Sequence, residues 1–253
     1  MPALSKLARH AAKKIFGDRT ADFDERPSSM EHVFRAPPLT SELVKAIRLI
    51  SPHLNMKSGE RDRLAWEEDQ NASCWCEYEA LAPLLGSIPQ PRKVLEIGPG
   101  LGRSIVFFSK KLGWESSDIH LYEGDGDRTK YTTLGPRFED SFCGNIKILR
   151  HVLHYNGVQN TTIVDAKQTK LSDLPGPYDL LYSFYSIGFH WSLEFFLDDL
   201  LGLMSHQSVA IFSVPEEFSI FPRLKQLPYS LVDWKVPGSG GWGLKFVVLS
   251  KRA

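Results

Sequence analysis

Residues 94–102 read VLEIGPGLG, and few stretches restrict a fold as tightly. Val94, Leu95 and Ile97 make a short apolar run, broken by one acid, Glu96, that passes directly into Gly98, Gly100 and Gly102. A run this short, closed by glycines, predicts a buried strand that ends in a tight turn. Glycines at alternate positions let backbone approach a ligand where a Cβ would stand in the way.

The residues beyond the turn set the fold class. From residue 92 onward short apolar runs alternate with amphipathic stretches, the pattern of an α/β protein with a parallel sheet and crossover helices. Strands are expected near 93–97, 118–123, 161–165, 179–184 and 208–214, and helices near 102–112, 144–156, 192–204 and 221–227. The end breaks the rhythm. SLVDWKV and LKFVVLS are separated only by PGSGGWG, too little chain for a helical crossover. They should form a C-terminal antiparallel hairpin, giving a Rossmann-like, mostly parallel, seven-stranded sheet.

Residues 1–91 read differently, with helical patterns broken at GDRTADFDERPSS, RAPP and SPHLNMKSGE. They are expected to form an N-terminal helical cap that serves as a substrate region, and Pro89 and Pro91 mark the boundary before residues 92–253. There is no internal repeat and no low-complexity tract.

Charge and cysteine content narrow the function classes. The chain of 253 residues carries 30 basic and 30 acidic side chains, so no global field attracts nucleic acid or an anionic membrane. Its 3 cysteines, Cys74, Cys76 and Cys143, make neither a disulfide framework nor a zinc site, and a reducing cytoplasm is the expected compartment. No apolar run reaches the roughly 18 residues of a membrane span, and the first residues lack a signal-peptide pattern. The stripe Leu4, Leu7, Ala11, Ile15 and Phe16, flanked by Lys6, Arg9, Lys13 and Lys14, can lie on the inner face of a membrane or pack against the cap or a partner subunit.

The dinucleotide fingerprint needs a glycine at the sixth place counted from Gly98, where this chain has Arg103. Glu96-x-Gly98-x-Gly100-x-Gly102 instead resembles motif I of the class I S-adenosylmethionine-dependent methyltransferases, and with its neutral charge and polar-aromatic cap the chain resembles bacterial sugar or small-molecule O-methyltransferases. The resemblance implies S-adenosylmethionine as cofactor and S-adenosylhomocysteine as product, with Glu96 facing the amino-acid ammonium group. It also implies an acid at the end of the second strand that accepts from both ribose hydroxyls. HLYEGD offers Glu123 for this, with Gly124 beside it and Asp125 as a second candidate. Asp165 and Ala166, in VDA, fall where the family binds the adenine amino group, and Ser183 lies on the strand that runs beneath the cofactor.

Methyl transfer needs an aligned nucleophile and removal of its proton. SIGFHWS puts His190 on the loop after the fourth strand, where it reads as a general base walled by Tyr185, Phe189 and Trp191, or else as a cap on the next helix. Glu216 and Glu217 read chiefly as a solvated loop, and His151 and His154, lacking a carboxylate at ligand spacing, do not suggest a metal. In the cap, Trp66, Trp75 and Tyr78 interleave with Glu67, Glu68, Asp69, Gln70, Glu77 and Glu79, a mixture that suits a hydroxyl-rich ligand or an amphipathic helix leaning on the core equally well. The acceptor is therefore expected to be a small-molecule or glycan hydroxyl, with no nucleic acid partner. Small-molecule N-methylation and a noncatalytic cofactor-binding scaffold are the alternatives.

Overall fold

The structure is a computed structural model that describes residues 31–50, 54, 56–57, 59–85, 88–124, 144–184, 186–187, 193–215, 229–235 and 244–251. Two helices come first, α1 (Ser41–Ile50) and α2 (Glu60–Leu85), followed by β1 (Lys93–Ile97), α3 (Arg103–Leu112) and β2 (Asp118–Glu123). Then come α4 (Ile146–Tyr155), β3 (Thr161–Asp165), β4 (Tyr178–Ser183), α5 (Leu193–Gly202) and β5 (Met204–Pro215). The described chain ends with β6 (Tyr229–Lys235) and β7 (Leu244–Lys251). The strands form one 7-stranded sheet in the order β3-β2-β1-β4-β5-β7-β6.

β1 to β5 are parallel, whereas β7 runs antiparallel to both β5 and β6. The expected hairpin is present, and its second strand is the one that joins the sheet, so β7 lies inside and β6 at the edge. Sequential order reverses at β1, which has β2 on one side and β4 on the other. That reversal opens the crevice where open α/β sheets bind ligands, outside the carboxyl ends of the strands.

Both faces of the sheet are covered, and the period-2 alternation of each strand divides its side chains between two apolar clusters. Val94, Leu121, Leu180, Ile211 and Val248 pack with α1 to α4, while Leu95, Ile97, Leu181, Phe212 and Val247 pack with α5. The first cluster runs without interruption from Phe34 and Trp66 to Phe246, so the described part of residues 31–85 shares its core with the sheet.

The stretch before α1 is held by side-chain amides. Asn71 on α2 accepts from the Phe34 N–H at 2.9 Å and donates to the Phe34 carbonyl at 2.9 Å. Asn156, at the end of α4, does the same for Arg35, at 2.8 Å in both directions. Adjacent residues are thus paired through backbone-like bonds to two different helices. Glu67 completes the clamp: Ala36 N–H donates to it at 2.9 Å, and Arg35 and Arg63 lie at 3.2 Å. Burial alone would raise the pKa of this carboxyl, but the Ala36 N–H, His32 and Arg35 outweigh burial and hold it below its ordinary value.

The polar and aromatic residues of α2 divide by burial. Trp66, Glu67, Gln70 and Glu77 are buried against the protein itself, Trp75 and Tyr78 are half-buried, and Glu68 and Glu79 are exposed. No described helix is long and apolar enough to cross a membrane. The stripe at residues 4–16 lies outside the described residues, as does the helix expected at 221–227.

Candidate functional site

The site is built where β1 ends. Gly98 donates its N–H to the Tyr122 carbonyl at 2.9 Å, so the ladder to β2 continues into the turn. Gly98, Gly100 and Gly102 have φ of 68°, 60° and 81°, left-handed values that L side chains adopt only with strain. Space is short as well. A Cβ on Gly98 would run into the Ser186 hydroxyl, and one on Gly102 would sit 2.8 Å from Leu149 Cδ1. The turn therefore lies tight between the loop after β4 and the start of α4, and Gly102 hands the chain to α3.

Glu123, at the end of β2, reaches over this turn. Its Oε2 accepts from the Gly100 N–H at 2.8 Å and its Oε1 from the Gly124 N–H at 3.0 Å. Asp165 is its register partner on β3, and the Ala166 N–H donates to the Glu123 carbonyl at 2.9 Å. The acids expected at these two strand ends are thus adjacent. Asp165 also organises its own turn, accepting from the Lys167 N–H at 2.9 Å and from Gln168 Nε2 at 2.8 Å. Ser183 is buried, and its hydroxyl donates to the Ile97 carbonyl at 2.7 Å and accepts from the Ile187 N–H at 2.9 Å. Its bonds tie β4 to β1 beneath the turn. Asp125 and His190, with Tyr185, Phe189, Trp191, Glu216 and Glu217, lie outside the described residues.

Glu96 is placed differently from the cation-facing position expected for it. Strand alternation puts it on the face of Val94, under α3, where it is 1% exposed. The Ser104 hydroxyl donates to Oε1 and the Tyr182 hydroxyl to Oε2 at 2.9 Å. Burial pushes its carboxyl up to about 7, against the pull of the Ser104 and Tyr182 bonds and of Arg103. Arg103, the residue that spoils the dinucleotide fingerprint, turns to α2 and pairs with Glu77 Oε1 at 2.5 Å, next to the buried Cys74. Glu77 is also buried, and its Oε2 has no hydrogen-bond partner among the described residues.

No protein-family model matches the sequence, and no curated protein matches it. Solved structures do. A mutant of MtNAS is 12% identical over 100% of this chain and 88% of its own, with a TM-score of 0.51. Cofactor-bound Rv0187 from MTB is 15% identical over 85% of this chain and 92% of its own, with a TM-score of 0.50. Precorrin-6y C5,15-methyltransferase from Geobacter metallireducens is 16% identical over 69% of this chain and 88% of its own, with a TM-score of 0.49. The Rossmann-like fold, a mostly parallel sheet with an antiparallel pair at one edge, is the one shared with Rv0187 and the MtNAS mutant.

Within that fold the structure adds two residues to which the sequence assigns no role of their own. Ser186 stands against Gly98, and Gly144 stands against Glu123. Ser186 opens the stretch SIGFHWS and Gly144 the stretch read as a helix, yet the part each plays is defined only by what folds against it. Glu77, in the sequence, is one acid among several in the mixed stripe of α2.

Proposed function

We propose that this protein binds S-adenosylmethionine at the β1 turn and transfers its methyl group to a hydroxyl of a sugar, glycan end or related small molecule. One observation carries the cofactor reading: the Glu123 carboxylate lies over the glycine turn at the carboxyl ends of β1 and β2, where the strand order reverses. A carboxylate there suits a vicinal diol, because it accepts one hydrogen bond from each hydroxyl. It does not suit a pyrophosphate. The Gly100 N–H, a donor that such a turn would offer a phosphate, is already given to Glu123.

The residues present fit the cofactor. Glu123 would hold the ribose, Asp165 and Ala166 the adenine edge, and the turn at Gly98 and Gly100 would let the remainder pass close to the backbone. When bound, S-adenosylmethionine supplies a methyl group already activated on a sulfonium. The protein then has to align the acceptor and take up its proton, and His190 is assigned as that base. The hydroxyl acceptor rests on the resemblance in the sequence and on a near-neutral imidazole as base.

The test has two arms. Calorimetry should show binding of S-adenosylmethionine and S-adenosylhomocysteine and none of NAD, and NAD binding alone would overturn the cofactor assignment. Incubation with a labelled methyl donor and fractionated extract, followed by mass spectrometry, should give a product methylated on oxygen; label on nitrogen would overturn the acceptor class. In the same assay His190→Ala should lower turnover by about 10²- to 10⁴-fold with cofactor affinity kept. It should also lose the fall in rate below roughly pH 6.5 expected of an imidazole base.

A further inference from the structure

Gly144, just ahead of α4, lies directly against the Glu123 side chain. A Cβ built on Gly144 falls 2.5 Å from Glu123 Cγ and closer still to Cδ and Oε1. The Glu123 side chain is the obstacle that a Cβ at this position would meet. The backbone at 144 has little freedom to retreat. The next residue, Asn145, caps α4 by accepting from the Ile148 N–H at 3.0 Å, and α4 is anchored in the core by Leu149, Val152 and Leu153. Leu149 also backs Gly102, so α4 braces the glycine turn and the acid together.

We propose that Gly144 is a positioning residue: its missing side chain leaves the room in which Glu123 lies between the Gly100 and Gly124 N–H groups and presents its carboxylate to a vicinal diol. This rests on the reading that Glu123 holds the ribose of the cofactor. A methyl group at position 144 would push the carboxylate out of that place while leaving the turn and the strands untouched. The loss should fall on recognition of the ribose hydroxyls and spare the rest of the ligand.

The experiment is calorimetry with S-adenosylhomocysteine and its 2′-deoxy counterpart on the wild-type chain, Glu123→Ala, Gly144→Ala and the double variant. The wild type should prefer the ribose compound, and Gly144→Ala should lose about 10- to 100-fold in affinity for it, together with that preference. The double variant should bind no more weakly than Glu123→Ala, because both changes act through one carboxylate. Combining Gly144→Ala with Glu123→Asp should recover affinity, since the shorter acid withdraws from the added methyl. Should Gly144→Ala fail to fold, adding Glu123→Ala should restore folding, and no restoration would overturn the inference. Unchanged affinity in Gly144→Ala, a kept preference for the ribose compound, or additive losses would each overturn it too. A wild-type chain that binds neither compound would overturn the cofactor reading as well, which separates the two failures.

Discussion

Glu96 is the residue whose charge the fold controls most directly. Its carboxyl is sealed under α3 by Ser104 and Tyr182, with Arg103 and Glu77 the charged groups nearest in effect, and burial raises it to about 7 from an ordinary value of 4.5. A carboxyl raised by folding stabilises the native state fully below about pH 4.5, where both states hold the proton. That stabilisation is lost as pH rises toward 7, because the unfolded chain ionises first. Urea unfolding of the wild type and Glu96→Gln should therefore diverge with pH. Relative to the variant, the wild type should lose on the order of 2–4 kcal/mol between pH 5 and 8. Taking the difference between the two proteins removes the opposite contribution of His120. That imidazole is held below its usual value by burial, despite Asp118, and favours the fold at higher pH. A difference independent of pH would mean that folding leaves the Glu96 carboxyl where it stands in the unfolded chain.

At the scale of elements, the clamp on residues 34–36 makes a clean test of what joins α2 and α4 to the chain before α1. Asn71→Ala would leave the Phe34 N–H and carbonyl without their partner in a buried place and should cost about 2–4 kcal/mol in urea unfolding. A cost below about 0.5 kcal/mol, the scale of an ordinary surface change, would show that water replaces the amide. These same contacts mark the limit of what the sequence discloses. β1, β2 and β3 are legible to the residue, because short apolar runs closed by glycines or acids have few alternatives. The buried side of α2 is not, since Glu67, Gln70 and Glu77 fit a ligand surface and a helix leaning on the core equally well until partners such as Ala36 and Arg103 fold onto them. Glu96 is legible as an acid at a strand end, yet its direction is not. In a strand covered on both faces, neighbours on either side are apolar and alternation names no outer face. Glu123 is legible as an acid beside the turn, because its position at a strand end fixes where its backbone must be.

For the whole molecule, the ligand and the fold should be coupled. S-adenosylhomocysteine at about 100 times its dissociation constant should add about 2.7 kcal/mol to unfolding, whereas NAD should add nothing; a thermal scan with each ligand decides it. Packing should respond on the same scale. Phe246 on β7 is 1% exposed and stacks edge-on against Phe184 with ring centroids 5.5 Å apart, so Phe246→Ala should cost about 3–5 kcal/mol. A loss under about 1 kcal/mol would mean that the sheet does not depend on β7 for its closure. That strand also governs when the sheet can be completed during synthesis. β6 pairs with β7, and among the described residues β7 is the strand that covers the far edge of β5 from Val209 to Pro215. Until residues 244–251 have left the ribosome, the nascent chain carries an open apolar strand edge and a β6 segment with no neighbour to join. In that interval a chaperone would have most to shield, and another nascent chain most to stick to.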